Sequence, residues 1–182
     1  MTEDIPPEMI NNGDVDSGFV DKIVEAGADR LRTCIQCGTC SAVCPSGRRT
    51  AFRTREIIRK ALLGLKEEVL ASSDLWFCST CYNCLERCPR QIKVTDAILI
   101  MRNMAVNHGF MLPEHRKASL KLISTGHAVP IDDANREMRK RLGLKEIPPT
   151  AHSNAAALND VQEILNKTGF KKLIEDQKKE ND

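Results

Sequence analysis

Eight cysteines stand in two copies of one spacing, and this feature constrains the chain more than any other. Each copy holds three cysteines three residues apart, a fourth cysteine four residues further on, and then a proline. The copies run from Cys34 to Pro45 and from Cys78 to Pro89, and they contain every cysteine of the 182 residues. Such dense, repeated thiols predict a chain that folds around metal rather than around disulfides.

The spacing is typical of cysteines that bind [4Fe–4S] clusters. In proteins with two such clusters, the fourth cysteine of each run binds the cluster of the other run. The predicted ligands are therefore Cys34, Cys37, Cys40 and Cys88 for the first cluster, and Cys78, Cys81, Cys84 and Cys44 for the second. Backbone amides of residues 35–39 and 79–83 are the expected hydrogen-bond donors to the sulfurs. A zinc-binding interaction module is a remote alternative, because zinc sites use two cysteine pairs separated by a longer loop.

The charge balance does not require a nucleic-acid partner. The formal net charge is +2, but residues 1–29 carry eight acidic residues and one lysine, so the remainder is basic. The chain has only one Trp, one Tyr and five Phe, too few for a base-stacking platform. Clusters bound by thiolates are negatively charged and would balance much of the basic excess. Arg87, Arg90 and Lys93 near the second motif would either raise the potential of its cluster or bind a partner.

Membrane and catalytic motifs are missing from the sequence. The longest purely apolar run, Ala97 to Met101, is far shorter than a membrane span, and the N-terminus has no apolar export signal. We therefore expect a cytoplasmic protein without membrane contact. No Gly-rich phosphate loop, nucleophile elbow or ninth cysteine occurs, so we expect electron transfer and no catalytic residue.

Apolar residues recur at helical spacing, and no segment alternates like a strand. The predicted fold is all-α: an alpha-helical ferredoxin domain with two clusters and a helical C-terminal extension. Residues 1–16 are predicted to be a disordered acidic leader, 17–112 the ferredoxin domain, and 113–182 an extension that binds partners. Helices are expected over 19–31, from a cap at Thr50 to Gly64, over 67–70, from a cap at Thr95 to Gly109, and over 114–123, 133–142, 154–168 and 170–178. Trp76 should pack over a cluster.

The segments Cys34–Pro45 and Leu75–Cys84 are similar to the C subunits of heterodisulfide reductases from methanogenic archaea. The similarity continues through Arg55–Leu65 and into Pro148–Phe170. It implies a complex in which the A subunit, with flavin and iron–sulfur centres, passes electrons to the two [4Fe–4S] clusters of this chain. These hand them to the B subunit, which reduces the disulfide of coenzyme M and coenzyme B. A hydrogenase or formate dehydrogenase would supply the A subunit.

Two other electron-transfer roles share the cysteine pattern. One is a stand-alone ferredoxin, and the other is an iron–sulfur subunit of a dehydrogenase for glycolate, glycerol 3-phosphate or succinate. A free carrier does not need the amphipathic helices expected over residues 113–182, so membership of a reductase complex is the favoured hypothesis.

Overall fold

The computed structural model describes residues 14–177, which form two compact units, one ending at His108 and the other beginning at Gly109. Every regular element in this range is helical, and none is a strand. The prediction of an all-α fold is therefore confirmed. Within the same range, no helix has the length and apolar content that crossing a membrane requires.

The first unit contains six α-helices among its described residues: α1 (Phe19–Glu25), α2 (Thr39–Ala42), α3 (Thr54–Leu62), α4 (Lys66–Ala71), α5 (Asn83–Glu86) and α6 (Val94–Asn107). Short 3-10 helices lie at Leu31–Thr33, Ser46–Arg48 and Ser73–Phe77. Helices α1, α3, α4 and α6 pack together around a core that includes Phe19, Ile58, Leu70, Ile98 and Met101. Each such side chain contributes about 1.5–3 kcal/mol through burial. This core supports α2 and α5, which contact each other and carry cysteines.

The first helix is shorter than the sequence predicts. It ends at Glu25 rather than at residue 31. Gly27 and Arg30 adopt positive φ angles of 120° and 64°, which no α-helix accommodates. The chain therefore turns and continues as the 3-10 helix that precedes the first cysteine.

Both predicted threonine caps are wrong. Helix α3 begins at Thr54 after Arg53, while the Thr50 hydroxyl donates to the Ser46 carbonyl at 3.0 Å and accepts from the Phe52 amide at 3.2 Å. Thr50 thus stabilises the turn before the helix. Helix α6 begins at Val94, so Thr95 lies within its first turn and not before it.

The start of the described chain is attached to the helical core. Residues 1–13 of the predicted acidic leader lie outside the described residues. Asp16, which the prediction includes in that leader, donates its backbone N–H to the Gly64 carbonyl at 2.9 Å and pairs with Lys22 at 3.4 Å. The leader prediction is therefore corrected at this end. Gly64, at a φ of 76°, brings its backbone close to Asp16, since a Cβ here would lie 2.6 Å from the Asp16 carbonyl oxygen.

The second unit contains α7 (Pro113–Thr125), α8 (Asp133–Arg141), α9 (Ala155–Lys167) and α10 (Phe170–Glu175) among its described residues. Helices α7, α9 and α10 contact one another, and Ile123 and Ile174 are buried between them. Asn154 caps α9, because its side-chain oxygen accepts from the amides of Ala156 and Ala157. The last predicted helix, 170–178, ends at Glu175, and residue 178 lies outside the described residues.

Candidate metal centre

The two cysteine motifs follow the same backbone course. Each comes after a 3-10 helix and leads into a four-residue helix, α2 in the first motif and α5 in the second. Left-handed φ angles occur at matching positions 44 residues apart: 55° at Gln36 and 52° at Thr80, then 84° at Gly38 and 61° at Tyr82. The sequence repeat is therefore also a repeat of local structure.

These backbone angles are costly at three of the four positions. A left-handed residue other than glycine costs about 1–3 kcal/mol, and such strain is concentrated at functional sites. Thr80 is β-branched and Tyr82 is bulky, which makes their angles of 52° and 61° unusual. Alternation of right- and left-handed residues turns successive amide N–H groups toward one concave side, which suits an anionic group. The left-handed residues shared by the two loops are of the kind found where backbone N–H groups bind an anionic group.

One cavity collects cysteines from both motifs. Cys34, Cys37 and Cys40 line it together with Cys88, the fourth cysteine of the other motif. Cys44, the fourth cysteine of their own motif, is not among the residues that line it. The chain therefore brings together the four thiols that the crossed assignment predicts for the first cluster.

The other four thiols interact electrostatically with one another. Burial raises the pKa of Cys78, and the neighbouring thiols of Cys44 and Cys81 raise it further, against a lowering by the amide of Thr80 and the charge of Arg102. Burial also raises the pKa of Cys84, where the hydroxyl of Thr95 opposes it and the thiols of Cys78 and Cys81 add to it. Cys44 thus lies near the set Cys78, Cys81 and Cys84.

The two sets of thiols are neighbours. Burial raises the pKa of Cys40 to about 11, and the thiols of Cys84, Cys34 and Cys37 contribute to the same rise, while the amide of Ser41 lowers it. Cys84 belongs to the second set, so Cys40 and Cys84 lie at the junction of the two sites. This agrees with the contact between α2 and α5.

The two sets differ in their exposure to solvent. Cys37 in the first set and Cys81 in the second are exposed. Cys44 and Cys84, both of the second set, are buried with 9% exposure each, whereas Cys40, the thiol of the first set whose pKa is raised by burial, is half-buried. Each site therefore has one thiol at the surface, and two thiols of the second site are less exposed than any thiol of the first.

Several donors reach the sulfurs. They are Gln36 Nε2 to Cys34 at 3.4 Å, the Thr39 hydroxyl to Cys37 at 3.4 Å, the Gly47 amide to Cys44 at 3.4 Å, the Ile92 amide to Cys88 at 3.4 Å and the Thr95 hydroxyl to Cys84 at 3.2 Å. The bonds from the Thr39 hydroxyl and amide lower the pKa of Cys37. Of the amides predicted as donors, those of Cys37, Thr39 and Thr80 act on a thiol.

The sequence predicted none of these five donors, since it pointed only to backbone amides of the two loops. Gly47 and Ile92 lie beyond the fourth cysteine of each motif, outside the loops that were expected to supply the amides. Only the structure shows why glycine occurs at residue 47, since a Cβ there would lie 2.8 Å from the Phe52 carbonyl oxygen. Thr95 was interpreted as a helix cap, but its hydroxyl binds Cys84 instead.

The cationic side chains that follow the second motif in sequence do not all lie at the second site. Arg90 lines the cavity of Cys34, Cys37, Cys40 and Cys88, because the crossing places Cys88 there. Lys93 pairs with Asp29 at 2.8 Å. Arg102, which the sequence did not single out, lies beside Cys78 and 5.6 Å from the ring centroid of the half-buried Trp76.

The donor chemistry fits iron–sulfur clusters. Soft thiolates from cysteine are the ligands of such clusters, and hydrogen bonds to the sulfurs are typical of their surroundings. Within residues 14–177, no three His, Cys, Asp or Glu side chains lie close enough together to bind one metal ion. A [4Fe–4S] cluster has several irons, so its cysteines do not need to converge on one point.

Known proteins support this interpretation. Residues 30–92 match the model of a family described as a 4Fe-4S dicluster domain, and this range includes all eight cysteines. The C subunit of the H(2):CoB-CoM heterodisulfide,ferredoxin reductase of Methanothermobacter marburgensis is 51% identical over 166 residues, covering 91% of this chain and 90% of that protein. The iron-sulfur C subunit of the CoB--CoM heterodisulfide reductase of Methanopyrus kandleri is 52% identical over 144 residues, covering 79% and 75%. The C subunit of the Ferredoxin/F(420)H(2)-dependent CoB-CoM heterodisulfide reductase of Methanosarcina acetivorans is 45% identical over 153 residues, covering 84% and 94%.

The chain belongs to the family of heterodisulfide reductase C subunits. The resemblance seen in the sequence is therefore confirmed. As a member of this family, the chain is an iron–sulfur electron-transfer component of an oxidoreductase complex, and the prediction that it belongs to an oxidoreductase complex is confirmed.

Proposed function

We propose that this chain relays electrons through two [4Fe–4S] clusters from the A subunit of a heterodisulfide reductase, which holds flavin and iron–sulfur centres, to the B subunit. The B subunit would use them to reduce the CoM-S-S-CoB disulfide. The observation that carries this proposal is the cavity in which Cys88 joins Cys34, Cys37 and Cys40. When bound, a [4Fe–4S] cluster accepts and releases single electrons.

The proposed ligands are the two crossed sets: Cys34, Cys37, Cys40 and Cys88 for the first cluster, and Cys78, Cys81, Cys84 and Cys44 for the second. The electrostatic interaction between Cys40 and Cys84 supports two adjacent sites. The exposed Cys37 and Cys81 would place one edge of each cluster at the surface. Electrons could then enter at one site and leave at the other without crossing the core.

The proposed partners follow from the names of the relatives. These names share the CoB–CoM heterodisulfide and differ in the electron donor, which is hydrogen, formate, ferredoxin or F(420)H(2). A chain that only relays electrons toward the shared acceptor agrees with this variation. We propose the A and B subunits as the direct partners and a hydrogenase or formate dehydrogenase as the indirect one. The cytoplasmic location and the lack of a nucleic-acid partner stay predictions.

An apolar groove in the second unit favours a component of a complex over a free carrier. Val129, Met138, Leu142 and Leu144 line it, and the last three are 60%, 68% and 50% exposed. Clustered exposed apolar side chains are typical of protein–protein contacts. They support the proposal that the extension, predicted as residues 113–182, binds partners.

The complex can be tested by anaerobic capture of the tagged full chain from native cells, with iron and flavin analysis of what is recovered. We expect a flavoprotein and a second cysteine-rich protein to accompany it. A double variant, Met138→Asn with Leu142→Asn, should keep its iron and lose at least one partner. A well-behaved monomer that recovers neither protein would contradict the role in a complex while leaving the clusters in place.

The crossed ligation can be tested with matched cysteine variants. Two clusters amount to about eight irons per chain, and each single variant should retain about four. Cys44→Ala should give the same remaining spectrum as Cys81→Ala, and Cys88→Ala the same as Cys37→Ala. If Cys44→Ala instead resembles Cys37→Ala, each motif binds its own cluster. Two zinc ions and no iron in the unaltered chain would refute the whole proposal.

A further inference from the structure

Each site has an arginine close to its cysteines. Arg55 and Arg90 line the cavity of the first site, and Arg102 lies beside Cys78 of the second. Helices α3 and α6 each follow a cysteine motif, and each begins after a cationic residue, Arg53 or Lys93. Arg102 lies nine residues after Lys93, and the residue nine positions after Arg53 is Leu62, so Arg102 in α6 corresponds to Leu62 in α3. Arg102 therefore has no charged counterpart at the matching position of α3.

Arg102 is anchored to the segment that enters the second motif. Its Nε donates to the Leu75 carbonyl at 3.0 Å, and its Nη2 donates to the Cys78 carbonyl at 2.6 Å. These carbonyls belong to the middle residue of the 3-10 helix Ser73–Phe77 and to the first cysteine of the motif. The guanidinium also lies 5.6 Å from the ring centroid of Trp76. Three contacts thus hold one planar group in a single position.

Among residues 14–177, no carboxylate neutralises the charge of Arg102. Its side chain is half-buried, and the ion pairs formed within the part of the chain that the structure describes do not include it. Burial lowers the pKa of Arg102, and the opposing influence comes from the thiol of Cys78. A guanidinium stays protonated in proteins, so the positive charge remains.

We propose that Arg102 raises the reduction potential of the second site, as a positioning residue that orients the Cys78 segment and as a fixed positive charge beside it. The inference rests on the proposed function, because it takes Cys78, Cys81, Cys84 and Cys44 as the ligands of one cluster. Reduction adds negative charge, which a nearby cation stabilises.

The enclosure of the second site explains why such a charge is useful there. Cys44 and Cys84 are buried, and burial disfavours the added negative charge of the reduced state. The thiols of the first site are half-buried or exposed, and Arg55 and Arg90 line its cavity. Arg102 offsets the burial of the second site.

The test is an anaerobic redox titration of the iron-loaded full chain, followed by electron paramagnetic resonance. Cys81→Ala identifies the signal of the second site by its loss. Arg102→Gln removes the charge, Arg102→Lys keeps the charge without the planar fork, and Arg87→Gln is the control because Arg87 is an exposed charge in the same motif.

We expect Arg102→Gln to lower the equilibrium constant for reduction of the second site about tenfold, which is about 59 mV for one electron. Arg102→Lys should retain most of the potential, Arg87→Gln should change the constant less than about twofold, and the first site should not change in any variant.

Three outcomes overturn the inference. The first is a change below about twofold in the equilibrium constant for reduction of the second site in Arg102→Gln, with both clusters present. The others are equal shifts of this constant in Arg102→Gln and Arg102→Lys, and loss of the second cluster in both variants. Loss only in Arg102→Gln, with an unchanged potential in Arg102→Lys, supports it, because the charge alone then separates the two variants. Failure of the unaltered chain to bind any cluster refutes the proposed function instead, so the two failures can be told apart.

Discussion

The hydroxyl of Thr95 offers the sharpest single perturbation of the second site. Its side chain is 1% exposed, and Oγ1 lies 3.2 Å from the sulfur of Cys84, which is itself buried. Thr95→Val keeps the shape of the side chain and removes this hydrogen bond. A hydrogen bond to sulfur stabilises the more negative, reduced state, so the substitution should lower the reduction potential.

The size of the effect follows from the number of ligands that share the charge. A hydrogen bond to a charged group contributes about 1.5–3 kcal/mol. Cys84 is one of four proposed ligands, so about a quarter of this, about 0.4–0.75 kcal/mol, should depend on the added electron. At about 1.36 kcal/mol and about 59 mV per tenfold change, the potential should fall by about 15–30 mV.

The assay is an anaerobic redox titration of the iron-loaded full chain at constant ionic strength. Thr54→Val is the matched control, because Thr54 is also 1% exposed but begins α3, on the side of the first motif. It should leave the potential of the second site unchanged. An unchanged or raised potential in Thr95→Val, with full iron content, would refute the assignment of this hydroxyl as a donor to a cluster ligand.

Three further predictions concern the scaffold. Gly64→Ala should lower the free energy of unfolding, measured by urea denaturation, by about 2–4 kcal/mol, because the new Cβ adds a 2.6 Å contact with the Asp16 carbonyl oxygen to a strained φ. Gly143→Ala is the control: it has a similar φ of 70° but lies in open space, so it should lower the free energy of unfolding by only about 1–2 kcal/mol. Asn154→Ala should destabilise α9 by about 1 kcal/mol, and Asn154→Asp should restore most of it, as followed by circular dichroism. Lys93→Met should raise the lowered pKa of Asp29 toward the usual pKa of aspartate, as measured by NMR titration. In the unaltered chain the Lys93–Asp29 pair stabilises the fold at pH values above that usual pKa, and its contribution is lost as the pH falls through the lower pKa of folded Asp29.

Local pattern was sufficient to predict much of the fold. Helical spacing of apolar residues predicted α9 to within one residue at each end, and the absence of alternation predicted an all-helical chain. The caps at Thr50 and Thr95 were wrong for a shared reason. A threonine near a helix start can bind the backbone of a turn or a distant sulfur as well as an amide of its own helix, and the sequence does not distinguish these partners.

The proposed ligands were accessible from the sequence because they depend on spacing within each motif. The charged and hydrogen-bonding groups around the sulfurs could not be predicted in this way, because they come from separate parts of the chain. Arg90 follows the second motif in sequence but lines the cavity that contains three cysteines of the first. Arg102 lies 14 residues beyond Cys88, and only the packing of α6 brings it to Cys78.

The eight cysteines, their spacing and the residues around them by themselves determined that this chain is an iron–sulfur protein of the heterodisulfide reductase family, since metal ligation requires particular residue types at short, regular intervals. Only the tertiary structure decided which thiols are buried and which charges and hydroxyls lie beside them. Burial and hydrogen bonding to sulfur depend on helices that are distant in sequence, such as α3 and α6, and their approach is set by the packing of the apolar core.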